Sequence, residues 1–542
     1  MIKLEWEEIF MKKHNTLKVV LITLCAFLVC SWIFTSAYYS GGYVEQGRVQ
    51  MGLFDIFSYP TTALSYFGYI ALYLLAVGMF YGVLNKISAY RVLIDKLAKS
   101  FKGKEKIAIS VIMCILAIIT SFAGLQTALL LVFPFIISLV LVMGYDKIVA
   151  ALTTVGSVIV GFMGTTFAYN NTNILVSTLG TKITTGIIWK IIILVLGLAL
   201  LIFNTIMYIN KKMPKKTKDN AKDLDIYVPT VVNAKESKNT KVWPLVVILD
   251  LVLLISILAF IPWAAVFNIT LFDDVTTAVT GFSIPAYVAL LILLLIINLV
   301  LFAKKQNKHA YIVDAAVVIV TLVILIGRFL VNAPKFKALT KALNADFAIF
   351  GKFLGSVNSF GNWSLTEIAL LAILSALVLA LIYKVKFDDV LDGAVEGIKK
   401  AVMPAVFVLL IYTGLVIVTY HPFQLPIYKA IFGLTKGFNV FTSTIVAILA
   451  TVFNSDPLYV FNSVIQYLTS LVTDTSVYPV IWVLYQSVSG LTMLVAPTSL
   501  ILIVSLFYLD IPYGKWLKTI WKLVVELLVL LLVVCTIALL VA

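Results

Sequence analysis

The residues in this sequence that could do chemistry are asparagines and threonines standing where apolar side chains are expected. Residues 161–173, GFMGTTFAYNNTN, lie inside an apolar run long enough to span a bilayer, yet carry Asn170, Asn171 and Asn173 with Thr165, Thr166 and Thr172. Polar groups at that depth cost free energy unless they face a cavity or a ligand. Residues 490–499, GLTMLVAPTS, echo the pattern. Written as G-x-T, five residues, then T-[NS]-[IL], the two stretches align Gly164 with Gly490, Thr166 with Thr492, Thr172 with Thr498 and Asn173 with Ser499. Paired broken membrane segments are the sequence mark of a repeat-built transporter.

A shorter break precedes each stretch: residues 121–127, SFAGLQT, and residues 453–457, FNSDP. The first break's apolar arms are about 16 residues each, short of the roughly 20 that a full span needs, so a re-entrant hairpin is expected at each break. The first candidate site then combines Gly124, Gln126 and Thr127 with Gly164, Thr165, Thr166, Asn170, Asn171 and Thr172. The second combines Asn454, Ser455 and Asp456 with Ser487, Ser489, Gly490, Thr492, Thr498 and Ser499. Helix ends at such breaks offer unpaired N–H groups to an anion and unpaired carbonyls to a cation, with no net charge required. Oxygens of Thr166, Asn171, Thr492 and Thr498 would suit sodium, and the same hydroxyls and amides suit a substrate carboxylate. No other cofactor is implied.

For any single Thr or Ser the plainer reading is a hydroxyl bonded to its own helix or to a neighbour. The matched pair of clusters favours function. Asp456 is the sharpest single residue, because an ionisable group at a hairpin tip is costly at depth. It could carry a proton, ligate a cation or counter a basic substrate. It could also cap the second hairpin arm, ahead of Pro457 at the first helical position, and the two roles are compatible.

The elements that must position these residues follow from composition. The chain has 542 residues, 62% hydrophobic and 12% charged, and its mean hydropathy is +1.06. That charged share is about half of what a soluble domain carries, so the fold class is an all-α polytopic membrane protein. Its net charge of +15 resides mostly in loops between apolar runs, where it reports topology; no nucleic-acid partner is implied. Cys25, Cys30, Cys114 and Cys535 lie inside apolar runs without metal spacing. His14, His309 and His421 are scattered at span ends and loops, which argues against a zinc or triad enzyme. There is no GxxxxGK[ST] loop for a primary pump.

Taken in order, the apolar runs predict about eleven transmembrane helices plus two re-entrant hairpins in an inverted repeat. Spans are expected at 17–39, 60–86, 148–177 (broken), 185–209, 243–267, 285–303, 311–331, 364–383, 401–419, 480–509 (broken) and at the C-terminal end. Residues 88–106, with Arg91, Lys96, Lys99, Lys102, Lys104 and Lys106, read as an interfacial helix, and 384–400 as its amphipathic counterpart. Residues 332–363 are expected outside. Four sections result: an N-terminal half at 1–209, a basic cytoplasmic linker at 210–241, middle spans at 242–400 and a C-terminal half at 401–542. The lipid bilayer is one partner and a small molecule another. The expected location is the cell membrane, multi-pass, with the N-terminus cytoplasmic.

Three stretches resemble a known family: GVLNKISAYRVLIDKLAKSFKGKE, GYDKIVAALTTVGSVIVGFMGTTFAYNNT and, above all, APTSLILIVSLFYLDIPYGKWLK. They are similar to the YfcC and anaerobic dicarboxylate carriers of the ion transporter superfamily, over roughly residues 66–180 and 400–535. The resemblance implies an inverted-repeat scaffold assembled as a homodimer, with an elevator-like domain that carries organic anions or amino acids, commonly with sodium or protons. The chain departs from that pattern at both tips. AGLQT places Gln126 where the family tends to an acidic GMxEET. FNSDP replaces a small Gly/Ser-rich tip, and QSVSG at 486–490 replaces QFGDG, so carboxylates are lost at two places and gained at Asp456.

The function expected is secondary active transport of a small carboxylate-bearing metabolite, a dicarboxylate or an amino acid, by alternating access with sodium or proton coupling or by exchange. A membrane-embedded enzyme on a lipid-linked substrate would need a convergent His, Asp or Arg cluster, which the sequence does not suggest. A channel fits less well, because paired hairpins suit occlusion better than a continuous pore.

Overall fold

Apolar runs interrupted at glycine, proline and asparagine fold here as helices that stop at those residues. The computed structural model describes residues 15–212, 240–261 and 363–542 apart from residue 436, with short pieces at 282–285, 294, 297–298, 301, 312–315 and 346–349; for residues 169–171, 282–285 and 346–349 it describes the backbone alone. Nearly all of the spans expected at 285–303 and 311–331, and of the linker, therefore lies outside the described residues.

Helix α1 (Asn15–Ile33) and a two-stranded antiparallel hairpin, β1 (Ser36–Tyr39) and β2 (Tyr43–Gly47), lead into α2 (Asp55–Lys86). The next helix, α3 (Ser88–Ser100), buries Ala89, Tyr90, Val92, Leu93 and Ile94 and leaves Lys99 in its last turn, as an interfacial helix should. Helix α4 (Glu105–Ala123) stops at Gly124, whose φ of 71° is a left-handed cap that glycine adopts without strain. A 3₁₀ turn (Ala128–Leu131) and α5 (Phe133–Val142) complete the first hairpin. Broken span α6 (Lys147–Met163), with a wider π turn at Leu152–Gly156, and α7 (Tyr169–Leu179) follow, then α8 (Ile187–Lys212).

The arms of this hairpin are less equal than expected. Helix α4 has 19 residues, about 28 Å, enough to cross by length, whereas α5 has 10 residues, about 15 Å. The helix runs past Ser121 because nothing before Gly124 breaks it.

Next come α9 (Trp243–Phe260), α10 (Leu365–Ile382), α11 (Phe387–Tyr420), α12 (Gln424–Phe432), α13 (Val440–Phe453) and α14 (Pro457–Leu471). Broken span α15 (Tyr478–Met493) with α16 (Leu500–Tyr508), and closing helix α17 (Tyr513–Val541), end the chain. Among the described residues, eight helices are long and apolar enough to cross a membrane, α4 among them. The protein is a helical polytopic membrane protein.

The sequence expected an amphipathic segment followed by a separate span near residue 400. The structure makes them one 34-residue helix, α11, that runs on through Pro404. Val390, Gly393, Gly397 and Ala401 lie buried along one side of it at helical spacing. That side packs on α2: Gly78 faces Gly397 and Ala401, and Gly82 faces Gly393 and Gly397. The numbers rise along one helix as they fall along the other, so α2 and α11 are antiparallel. Lys86 pairs with Glu396 at 3.3 Å beside this contact.

Helices α2–α8 and α11–α17 present the same sequence of parts: long helix, short helix, hairpin, broken span, closing span. Helices α4 and α13 end 330 residues apart, at 123 and 453, and α6 and α15 also end 330 apart, at 163 and 493. Antiparallel leading helices are what an inverted second copy requires. We predict that in a cysteine-free background Ser100→Cys, just before the first hairpin, and Asp474→Cys, just after the second, both exposed, react with an impermeant thiol reagent from opposite faces of sealed vesicles. Labelling from one face only would overturn the inversion.

Both copies belong to one compact unit, residues 1–248 with 368–542; residues 249–367 form a second. Within the second, β3 (Phe282–Pro285) pairs antiparallel with β4 (Asp346–Ile349), and Asn298 donates a hydrogen bond to Asp314.

Candidate functional site

Each broken span is joined at its break to the end of the hairpin's first arm. In the first copy, the Ser121 carbonyl near the end of α4 accepts from Thr166 N at 2.9 Å, Phe167 N at 3.3 Å and Thr166 Oγ1 at 3.2 Å. Ser121 Oγ donates to the Gly164 carbonyl at 2.7 Å. In the second copy, Thr498 Oγ1 donates to the Thr451 carbonyl near the end of α13 at 3.0 Å and lies 3.1 Å from the Val452 carbonyl. Ser455 Oγ donates to the Thr498 carbonyl at 2.7 Å. Ser121 and Thr451 each stand two residues before the end of their helix, where carbonyls have no intrahelical partner.

This geometry corrects the alignment read from sequence. Thr498, not Thr492, is the structural counterpart of Thr166. Thr492 lies inside α15 with its hydroxyl on the Val488 carbonyl at 2.8 Å, and Thr172 lies inside α7 with its hydroxyl on the Ala168 carbonyl at 3.1 Å. The register slips because α6 stops one residue before Gly164, whereas α15 continues through Gly490 to Met493. Of the four residues read as sodium ligands, Thr166 and Thr498 sit at different breaks, Thr492 is within a helix, and the side chain of Asn171, like that of Asn170, lies outside the described residues.

The two broken spans cross where α6 ends. Gln486 Nε2 donates to the Phe162 carbonyl at 2.9 Å and lies 3.3 Å from Thr165 Oγ1, while Ser487 Oγ donates to the Met163 carbonyl at 2.8 Å. Thr165 Oγ1 also donates to the Phe162 carbonyl, at 2.7 Å. A Cβ on Gly490 would come within 2.9 Å of Met163 Cα, so only glycine admits this crossing. The carbonyls just past the end of α15 are covered in turn by α17: Trp516 Nε1 donates to the Leu494 carbonyl at 2.9 Å, and the Tyr513 hydroxyl donates to that of Val495. The aromatic residues of the PYGKWLK segment are thus braces for the second break.

Some buried groups at the second break keep no partner among the described residues. Asn454 Nδ2 and Ser499 Oγ are such groups, and Ser489 Oγ, inside α15 about one turn before its end, is another; all three side chains are at most 1% exposed. Ser499 occupies the N-cap position of α16 without capping it. Unsatisfied buried donors cost free energy and call for an acceptor.

A family model described as C4-dicarboxylate anaerobic carrier, DcuC, matches residues 38–272 and 267–541, through both copies and both breaks. The chain belongs to the C4-dicarboxylate anaerobic carrier family. No curated protein matches it. Among solved structures, the YdaH transporter of Alcanivorax borkumensis, whose crystal structure is described as revealing an unusual topology, aligns with 97% of this chain and 98% of its own at 12% identity and a TM-score of 0.39.

In this member of the C4-dicarboxylate anaerobic carrier family, tyrosines from the two leading helices hold the hairpin tips, which the sequence reading missed. The Tyr73 hydroxyl donates to the Ala128 carbonyl at 2.7 Å and accepts from Leu131 N at 3.1 Å; the Tyr81 hydroxyl donates to the Leu131 carbonyl at 2.6 Å. These bonds fix the 3₁₀ turn just beyond Gln126 and Thr127, and Gln126 itself is buried. On the other side the Tyr412 hydroxyl of α11 donates to Asp456 Oδ2 at 3.3 Å, and its ring stacks on Phe67 with centroids 4.0 Å apart. The signal available was tyrosine recurring in otherwise apolar helices.

Asp456 caps α14: Oδ1 accepts from Leu458 N at 3.0 Å and Tyr459 N at 3.4 Å, with Pro457 at the first helical position. Asparagine caps as well as aspartate, and alanine forfeits about 1 kcal/mol. We therefore expect Asp456→Asn to unfold near the wild-type temperature and Asp456→Ala about 1 °C lower, because a given free-energy loss moves Tm less in a long chain. Equal Tm for both variants would remove the cap from the account.

Proposed function

We propose that this protein is a secondary active transporter of small carboxylate-bearing metabolites, C4-dicarboxylates before amino acids, working by elevator-like alternating access as a homodimer. The observation that carries this reading is the donor set at the second break. Asn454 Nδ2 can only donate, the Ser489 and Ser499 hydroxyls are uncommitted, and α16 starts there with no side-chain cap. Amide and hydroxyl donors beside a helix N-terminus suit a carboxylate.

Coupling to sodium or protons, or exchange, completes the reading. For sodium, hard-oxygen ligands are at hand in the first break, where the Ser121 and Thr166 hydroxyls lie 3.1 Å apart. A cytoplasmic N-terminus agrees with the basic side chains of α3 and with Lys384 and Lys386, just ahead of α11, falling on one side.

Purified full-length protein should unfold at higher temperature with succinate or fumarate, more so with sodium if sodium is the coupling ion. Ligand at 100 times its Kd stabilises by about 2.7 kcal/mol. Aspartate stabilising where succinate does not would move the substrate to amino acids. No response to any dicarboxylate or amino acid, with and without sodium, would overturn the reading.

A further inference from the structure

Lys190 is the one Lys, Arg, Asp or Glu side chain in the buried class among the described residues, at 1% exposure, and it lies in the apolar closing span α8. Its Nζ donates to the Ile183 carbonyl at 3.0 Å and sits 4.0 Å from the centroid of the Trp482 ring. Among the described residues no carboxylate pairs with it. Trp482 is fully buried, and its indole N–H is also without a partner there. An ammonium with three donors thus has one carbonyl acceptor among the described residues, and the indole beside it has none. Nothing but a further acceptor, and best a negative one, satisfies such a set.

This pair adjoins the first break. Lys190 precedes Leu194 by four residues, and Leu194 is the residue against which Gly164 packs, a Cβ there lying 2.5 Å from the Leu194 Cβ. Trp482 precedes Gln486 by four residues, and Gln486 is bonded to the Phe162 carbonyl and near Thr165 Oγ1. On both helices the step is just over one turn, about 6 Å along the axis. The Lys190–Trp482 layer therefore lies directly beside the layer that builds the first break, on the same faces of α8 and α15.

We propose that Lys190 and Trp482 form a charge-bearing subsite for one carboxylate of the transported dianion. Lys190 would set the preference for two carboxylates over one. The inference rests on the carboxylate-carrier reading above. It also supplies the positive charge that neither polar stretch contains. The rival role for Lys190 is to tie residue 183 to α8, which would affect stability without affecting ligand choice.

The test is a thermal-shift titration of the full-length protein with succinate, butyrate and sodium chloride. Wild type should prefer succinate to butyrate; Lys190→Gln should weaken succinate at least tenfold, leave butyrate unchanged and so erase the preference, while Lys190→Arg keeps part of it. Trp482→Phe keeps an aromatic face for the ammonium but loses the indole donor and some volume; measured against its own ligand-free Tm it should weaken succinate by a smaller factor, and it carries the test if Lys190→Gln does not fold. Overturning results are a wild-type succinate-to-butyrate ratio in Lys190→Gln, or in Trp482→Phe where that variant carries the test. Chloride that stabilises the wild type and displaces succinate completely would make this an inorganic-anion site instead. A wild type with no succinate response overturns the carrier reading itself, and this subsite with it.

Discussion

Thr166→Val with Thr498→Val is expected to slow uptake of radiolabelled dicarboxylate into proteoliposomes by more than tenfold while the protein still folds. Valine matches threonine in shape and removes only the hydroxyl that joins each break to its hairpin. The two joints are not equally redundant. In the first, the Ser121 carbonyl keeps its bonds from Thr166 N and Phe167 N after the hydroxyl is gone. In the second, Thr498 Oγ1 is the donor that reaches the carbonyls of Thr451 and Val452. Leaving a buried acceptor unsatisfied costs about 1–3 kcal/mol, so Thr498→Val alone should slow uptake by roughly tenfold or more and Thr166→Val by much less. Thr492→Val is the control: its hydroxyl bonds back within α15, and near-wild-type uptake is expected. Wild-type rates in the double variant would sink the paired-site account. A Thr492→Val loss as large as that of Thr498→Val would restore the register read from sequence.

That register shows where reading a sequence succeeds and where it stops. Long apolar runs, the breaks at residues 121–127 and 453–457, and the doubling of the pattern are properties of local composition, and among the described residues they reappear as helices, hairpins and a second copy. Which threonine meets a hairpin is different, because it depends on the residue at which a helix stops. A G-x-T match treats Gly164 and Gly490 alike, yet Gly490 lies inside a helix and Gly164 at the end of one. Tyr73, Tyr81 and Tyr412 escaped notice because a tyrosine in an apolar helix declares nothing until its hydroxyl's partner is known. Lys190 is the reverse case. A lysine three residues into α8 resembles an interfacial anchor that reaches water, and only its burial against Trp482 distinguishes it. Asp456 was legible in both of its guises, and the structure displays the cap.

Gly82→Val and Gly397→Val are each expected to remove the folded protein. Where α2 crosses α11, a Cβ on Gly82 would lie 2.0 Å from the Gly393 carbonyl oxygen, and one on Gly397 would lie 2.0 Å from that of Gly78. These neighbours are backbone, so no side-chain rotation relieves the overlap and the helices must separate. Close approach through small residues is how membrane helices gain packing energy where lipid offers no hydrophobic drive, and separation forfeits those contacts. Overpacking a core whose side chains can shift costs about 1–3 kcal/mol; here the obstruction is backbone at 2.0 Å, so the cost exceeds that range and falls on the contact that joins the two inverted copies. A β-branched side chain adds a further helix-propensity difference that is small by comparison. Gly514→Ala separates the two effects, because no atom lies within 4 Å of a Cβ there; it should fold as well as wild type or better. Size-exclusion chromatography and thermal unfolding in detergent decide the matter. A monodisperse Gly397→Val protein with wild-type Tm would mean that the two long helices do not depend on this crossing. The antiparallel contact would then no longer explain how the inverted copies are held together.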